Sequence, residues 1–176
     1  VQRKLVNQLI VLGVNAVGLT AGDGDVTRAK ISKPELGLVG EVVSVNPDYL
    51  IAQMDLGITP VISPISITTD GQAVNMNADI IAGAIGGALK VDSVLFSTDV
   101  SGIYRNWPDK DSLIQSISVN ELSEISKTLE GGMIPKAESA INAIKSGAKK
   151  VQIFDGRKVS SVELALQGEG GTLVSP

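Results

Sequence analysis

The chain contains neither cysteine nor histidine. Those two zeros remove disulfide frameworks, Cys and His metal clusters, and every Cys–His or Ser–His nucleophile pair. Aromatic residues are only 3% of the 176, so a core has to be built from Val, Ile, Leu and Ala. Long apolar runs are missing too. The longest uncharged one, residues 80–89, has ten residues, about half of the roughly 20 that span a bilayer. No basic run occurs, and 15 Lys plus Arg against 19 Asp plus Glu give a formal charge of −4. This balance argues against nucleic acid and anionic membranes as partners, while a few local cations can still capture small anions. No stretch reads as a signal peptide. The expectation is a soluble, cytoplasmic protein. The chain opens on Val1 and not on Met, which is read as a missing upstream segment. The chemistry left to it rests on Lys, Arg, Asp, Glu, hydroxyls, backbone amides or a borrowed metal ion.

What is present is a large apolar fraction, 43%, enough for a single domain with a sizeable core. Leu5, Leu9 and Leu12 mark a first helix closed by Gly13. Residues 15–19 read as a buried strand, Gly22-Asp-Gly-Asp25 as a tight turn, and residues 26–30 as the returning strand. Residues 38–45 are β-branched and strand-like. Asn46-Pro47 opens a helix that Gly57 ends. A short strand at 59–63 precedes a hairpin over 65–74 centred on Asp70-Gly71. The helix at 80–89 carries Gly83, Gly86 and Gly87, each costing about 1 kcal/mol against Ala, which predicts very close packing against a sheet. A strand at 93–97 follows. Ser118-Val-Asn-Glu121 and Ser160-Ser-Val-Glu163 have capping-box spacing. Ala137, Ala140, Ile141 and Ile144 make an amphipathic helix over 135–145. Residues 151–154 read as a buried strand and 172–174 as a final edge strand. Strands alternating with helices predict an α/β fold, its mainly parallel sheet covered on both faces and interrupted by a hairpin or two.

In such folds ligands bind beyond the carboxyl ends of the strands, and three segments lie there. In Asn75-Met-Asn-Ala-Asp79 an extended course puts Asn75, Asn77 and Asp79 on one face and Val74, Met76 and Ala78 on the core side. That set suits a small polar ligand and a cation; it also reads as a plain Asp79 N-cap preceded by loop asparagines. Ser97-Thr-Asp-Val-Ser-Gly102 suits a ribose or phosphates, or is an ordinary polar turn. In Gly131-Gly-Met-Ile-Pro-Lys136, Pro135 starts a helix with Lys136 in its first turn. A cation there is disfavoured by the helix dipole, whereas anions gather at helix N-termini. Lys136 is thus either a phosphate ligand or a solvated lysine.

Neither G-x-x-x-x-G-K-[ST] nor G-x-G-x-x-G occurs, and without histidine there is no H-R-D loop. Phosphoryl transfer nevertheless fits the inventory, because it depends on positioning and charge neutralisation more than on a tuned base. The motifs Val17-Gly-Leu-Thr20, Asp23-Gly24, Leu36-Gly-Leu-Val-Gly-Glu-Val-Val-Ser-Val-Asn-Pro47, Asn75-Met-Asn-Ala-Asp79, Thr98-Asp-Val-Ser-Gly102, Gly132-Met-Ile-Pro-Lys136 and Asp155-Gly-Arg157 resemble those of the amino-acid kinase family, and within it the acetylglutamate kinase branch. The resemblance runs through nearly all of the chain. It implies a three-layer αβα sandwich with a mainly parallel central sheet. It also implies ATP-dependent phosphorylation of the side-chain carboxylate of N-acetyl-L-glutamate in arginine biosynthesis. Lys136 would then be catalytic, stabilising charge on the transferring phosphoryl group, and Asp79 would hold the catalytic lysines. Asn75 and Asn77 would bind acetylglutamate. Asp99, Val100, Ser101, Gly102, Ile103 and Tyr104, with Met133 and the residues before Gly131, would bind the nucleotide. The resemblance also implies ATP with Mg²⁺ carried by its phosphates, without a protein metal cage, and a homo-oligomer for the complete protein.

The chain also departs from the family's pattern. The family's N-terminal part, with its Lys-x-Gly-Gly strand end, glycine-rich loop and carboxylate-binding arginine, is not in this sequence. Residues 1–176 therefore read as a single C-terminal, nucleotide-binding part, inactive by itself. Ala21 stands where a glycine is usual. Gly168-Glu-Gly-Gly-Thr172 differs from the Glu-Gly-x-Gly-Thr of arginine-inhibited members. Two alternatives stay open: another carboxylate kinase of the family, such as a carrier-linked aminoadipate kinase or an aspartate kinase, or a non-catalytic nucleotide-binding module if the chain is complete.

Overall fold

The computed structural model of the chain describes residues 1–129 and 133–176. The chain forms two compact units, Val1–Ile81 and Ala82–Pro176.

The first unit begins with α1 (Gln2–Val11), which leads into β1 (Ala16–Thr20). The helix turns Val6 inward and leaves Leu5 and Leu12 exposed, so its buried stripe is not the leucine row that marks it in the sequence. The reason lies on β1. Gly18 has no side chain, and the space is taken by Gln2 and Val6, one turn apart on α1. The Gln2 amide also donates to the Val61 carbonyl at 2.6 Å, tying α1 to β4 (Thr59–Ser63), the parallel partner of β1.

After β1 the chain does not return along it. Asp23 accepts the Thr20 amide proton at 2.7 Å, a short 3₁₀ turn follows, and β2 (Thr27–Ile31) enters a different sheet. There it pairs antiparallel with β3 (Gly40–Val45) and parallel with β5 (Ile65–Ile67), and β5 pairs antiparallel with β6 (Ala73–Asn75). The expected hairpin between 15–19 and 26–30 is thus absent, whereas the one around Asp70-Gly71 is present. Buried Thr27 donates to the Ala21 carbonyl at 2.8 Å and lies 2.7 Å from the Ser66 hydroxyl, which satisfies the polar groups of this small core. Helix α2 (Asp48–Asp55) starts where the Asn46 side chain accepts the Asp48 amide proton at 3.1 Å, and it buries Leu50.

Helix α3 (Ala78–Ala88) carries the chain into the second unit, followed by β7 (Val94–Thr98), β8 (Ser116–Ser118) and α4 (Val119–Ile125). Then come α5 (Met133–Lys145), β9 (Val151–Asp155), α6 (Val159–Gln167) and β10 (Thr172–Ser175). The sheet order is β7-β9-β10-β8. The β7–β9 and β8–β10 pairs are parallel and β9–β10 is antiparallel. Four of the seven strand pairs among the described residues are parallel, as expected of an α/β chain. They form three sheets among these residues and not one. The final strand is an interior one, with neighbours on both sides, and not the edge that its short apolar stretch suggested.

Ser118 caps α4 by accepting the Glu121 amide proton, as its spacing predicts. The matching spacing at Ser160 caps nothing: α6 has already begun at Val159, with Lys158 before it and no side-chain cap. The apolar cluster of this unit includes Phe96, Leu122, Ile141, Ile153 and Val174. Helices α3 and α5 seal its flank. A Cβ on Gly83 would stand 2.8 Å from the Ser139 carbonyl oxygen, and one on Gly87 would stand 2.4 Å from the Ser146 Cβ. Only Gly86 meets the sheet, at Val94. The glycines of α3 thus serve mainly a helix–helix approach, correcting the expectation that they pack on a sheet. Gly83→Ala is expected to lower stability by about 1–3 kcal/mol in urea unfolding, because overpacking against a backbone carbonyl outweighs the gain of about 1 kcal/mol in helix propensity.

Candidate active site

The Asn75-to-Asp79 segment joins β6 to α3. Asn75 ends β6, opposite Ile65, and its amide donates to the Leu38 carbonyl at 2.8 Å. Val74 and Met76 are buried while Asn75 and Asn77 are exposed, so the alternation expected of an extended chain holds to residue 77. It stops there because Asn77 caps α3: its side-chain oxygen accepts the amide protons of Asp79 at 2.9 Å and Ile80 at 3.2 Å. Asp79 is therefore in the first helical turn and is not the cap, and Ala78 is exposed, not core-facing.

In the second unit β7 and β9 run parallel and end together, with Thr98 opposite Asp155. Beyond this edge Asp99 and Ser101 are exposed and Val100 is half-buried, whereas Gly102, Ile103 and Tyr104 are buried. The segment thus dives from the surface into the core over six residues. From Tyr104 to Trp107 it borders a cavity of about 190 Å³ that Thr128, Leu129 and Met133 close on the other side. Tyr104 and Trp107 meet edge to face, with ring centroids 5.2 Å apart. The structure so brings together two of the residues singled out in the sequence, Tyr104 and Met133, with Thr128 and Leu129. The volume is below the roughly 300–1,000 Å³ of a whole cofactor site, and suits one part of a ligand.

Lys136 is half-buried in α5, which begins at Met133 and not at Pro135. The glycines expected to free the backbone there, Gly131 and Gly132, lie outside the described residues. A second hollow, of about 180 Å³, opens at the end of β9 between Ser101, Asp155, Lys158, Ser161 and Gly171. At its rim the Arg157 guanidinium grips Asp155 with two bonds, 2.8 and 2.7 Å, and the Arg157 amide adds a third at 3.1 Å. These bonds hold the Asp155 carboxyl at about 2, below its ordinary 3.8. The same carboxylate, and to a lesser degree Asp99, raises the Arg157 pKa.

Residues 1–155 match the sequence profile of the amino acid kinase family. The chain belongs to that family. It is 40% identical over 184 aligned residues to the acetylglutamate kinase of Corynebacterium urealyticum, covering 99% of this chain and 60% of that protein. It is 43% identical over 146 residues to the acetylglutamate kinase of Leifsonia xyli, covering 81% of this chain and 48% of that protein. The chain thus spans about half to three-fifths of the length of these curated relatives. Among solved structures, smu.665 from Streptococcus mutans superposes with a TM-score of 0.80 at 26% identity, over 98% of this chain and 66% of that one. N-acetylglutamate synthase from Neisseria gonorrhoeae does so with a TM-score of 0.81 at 20% identity, over 97% and 40%. The likeness establishes the layered αβα fold of the family, and the resemblance read from the strand-end motifs is borne out.

Two contacts of this amino-acid kinase chain lie outside the candidate site residues read from the sequence. Arg105 pairs with Glu121 at 2.6 Å, joining the end of the strand-end segment to α4. Thr172, fully buried, reaches the backbone of the same segment. The second has a sequence signal, the alternation of Thr172 and Val174 inward in β10; the first has none. The Asp155 carboxyl carbon, followed by NMR from pH 1.5 to 6, is expected to titrate near 2, and nearer 4 in Arg157→Ala. Because the folded-state value is the depressed one, the pair's stabilisation is present above about pH 4 and is lost as pH falls through about 2.

Proposed function

We propose that the chain is the C-terminal, nucleotide-binding part of an acetylglutamate kinase of arginine biosynthesis. In this reaction a side-chain carboxylate oxygen of N-acetyl-L-glutamate attacks the γ-phosphorus of ATP, the bond to the ADP oxygen breaks, and an acyl phosphate and ADP result. The observation that supports the reading is the 40% identity to an acetylglutamate kinase over 99% of the chain, with the motif residues standing at strand ends and helix starts.

Phosphoryl transfer needs positioning and charge stabilisation more than covalent chemistry. Residues 99–104 and Met133 take the nucleotide, with the cavity beside Tyr104 and Trp107 receiving one part of it. Asn75 and Asn77 orient acetylglutamate. Lys136 stabilises charge on the transferring group, and Asp79 holds the catalytic lysines. Among the described residues no group of three or more carboxylates stands together. Mg²⁺ carried by ATP phosphates needs only one or two protein carboxylates, and Asp99 is the carboxylate this segment would offer. Charge on the β- and γ-phosphates is neutralised in part by Mg²⁺ when it is bound. The working protein is a cytoplasmic homo-oligomer that includes an upstream segment with a second lysine.

The test is ADP release in the presence of ATP, Mg²⁺ and N-acetyl-L-glutamate, with aspartate and aminoadipate as competing acceptors. The protein with its upstream segment is expected to turn over acetylglutamate, and residues 1–176 alone to show negligible turnover. Lys136→Ala in the longer protein is expected to lower kcat by about 10²–10³-fold with little change in the KM for ATP, since its charge acts mostly in the transition state. An unchanged kcat would remove Lys136 from the mechanism.

A further inference from the structure

The nucleotide segment is anchored by a residue 69 positions away in the sequence. Thr172 is fully buried at the start of β10. Its hydroxyl accepts the Ile103 amide proton at 2.8 Å and donates to the Ile114 carbonyl at 2.6 Å. Ile103 and Ile114 belong to a short antiparallel ladder, in which the Ile114 amide donates to the Ile103 carbonyl at 2.9 Å and the Arg105 amide to the Ser112 carbonyl at 2.9 Å. The threonine hydroxyl is inserted between the Ile103 N–H and the Ile114 C=O, where it relays one bond into the next. Only a group that both accepts and donates can do this.

The neighbouring glycines show how closely the relay is built. A Cβ on Gly102 would stand 2.5 Å from the Thr172 hydroxyl oxygen and 3.0 Å from its amide nitrogen. Gly171 has φ +71°, and a Cβ there would stand 2.1 Å from the Ile153 carbonyl oxygen and 3.0 Å from that of Ser101. Residues 101–103 are therefore pressed between the entry to β10 and the relay. The exposed side chains of the segment, Asp99 and Ser101, have no comparable anchor among the described residues; Asp99 accepts a bond of 3.3 Å from its neighbour Thr98.

We propose that Thr172 is a positioning residue for nucleotide binding, its buried hydroxyl fixing the backbone of residues 101–103 and through it the exposed atoms of the segment. This rests on the assignment of residues 99–104 to the nucleotide. A lost relay leaves a buried N–H and a buried C=O unpartnered, so the segment relaxes away from the geometry that ATP needs.

The experiment is calorimetric titration of ATP with Mg²⁺ into the full chain, with hydrogen–deuterium exchange of the peptide covering residues 99–104. Thr172→Val keeps the shape and removes the relay; it is expected to weaken ATP binding by about tenfold or more and to speed exchange in that peptide. Thr172→Ser keeps the relay and should bind within about threefold of wild type. Val174→Ala, in the same strand and fully buried, leaves a cavity and lowers the melting temperature, but should not change ATP affinity or the exchange of residues 99–104. ATP binding by Thr172→Val at the wild-type level, or an equal loss in Val174→Ala, would overturn the proposal. Should Thr172→Val fail to fold, Gly102→Ala takes its place: it must lose affinity while Thr172→Ser keeps it. Absence of ATP binding by the wild-type chain would instead refute the nucleotide assignment itself, and the proposal with it.

Discussion

Backbone contact between α3 and α5 is the constraint on which the second unit depends. With Gly83 against the Ser139 carbonyl and Gly87 against Ser146, the two helices run side by side in the same direction, at a separation no larger residue would permit. Ala143 meets α3 at this approach, while Ala137 and Ala140 face the apolar cluster, and all three are fully buried. The approach explains how a chain with so few aromatic rings closes a core: small side chains bring elements together until Val, Ile and Leu are in contact. The cost of Gly83 and Gly87 in one helix, about 1 kcal/mol each, is accepted for that proximity. It also fixes the course of α5, and hence where its first turns present Met133 and Lys136.

Much of the fold was legible because hydrophobic periodicity is local. The amphipathic run in α5, the hairpin at Asp70-Gly71, the Ser118 cap and the strand at 151–154 needed only neighbouring residues to be read. What escaped was decided by distant ones. Whether β2 returns along β1 or crosses to β3 and β5 depends on pairing that no turn sequence encodes. Which stripe of α1 is buried depends on Gly18 in the next strand. Whether β10 is an edge or an interior strand depends on β8, more than 50 residues earlier.

The site divides along the same line. Residue types at strand ends were visible, since amides, hydroxyls and carboxylates stand out against apolar strands. Their roles in the backbone were not: Asn77, not Asp79, caps α3, because the turn after Met76 sets which side chain reaches the helix amides. The alternation in β10 marks Thr172 as inward-facing, but not as the anchor of residues 101–103, since a buried threonine in a short strand looks like any β-branched core residue. Arg157 lay within a recognised motif, yet its bidentate hold on Asp155 depends on both side chains turning to the same rim.

The sheet order β7-β9-β10-β8 carries a consequence for biosynthesis. β10 lies between β9 and β8, so of these four strands the one that comes latest in the sequence joins the others. A ribosome that has released residues 82–167 has produced the unit's helices among the described residues, yet β8 has no partner and β9 an open edge. Such edges invite pairing with other chains. The sheet can therefore close only once residues 172–175 have emerged.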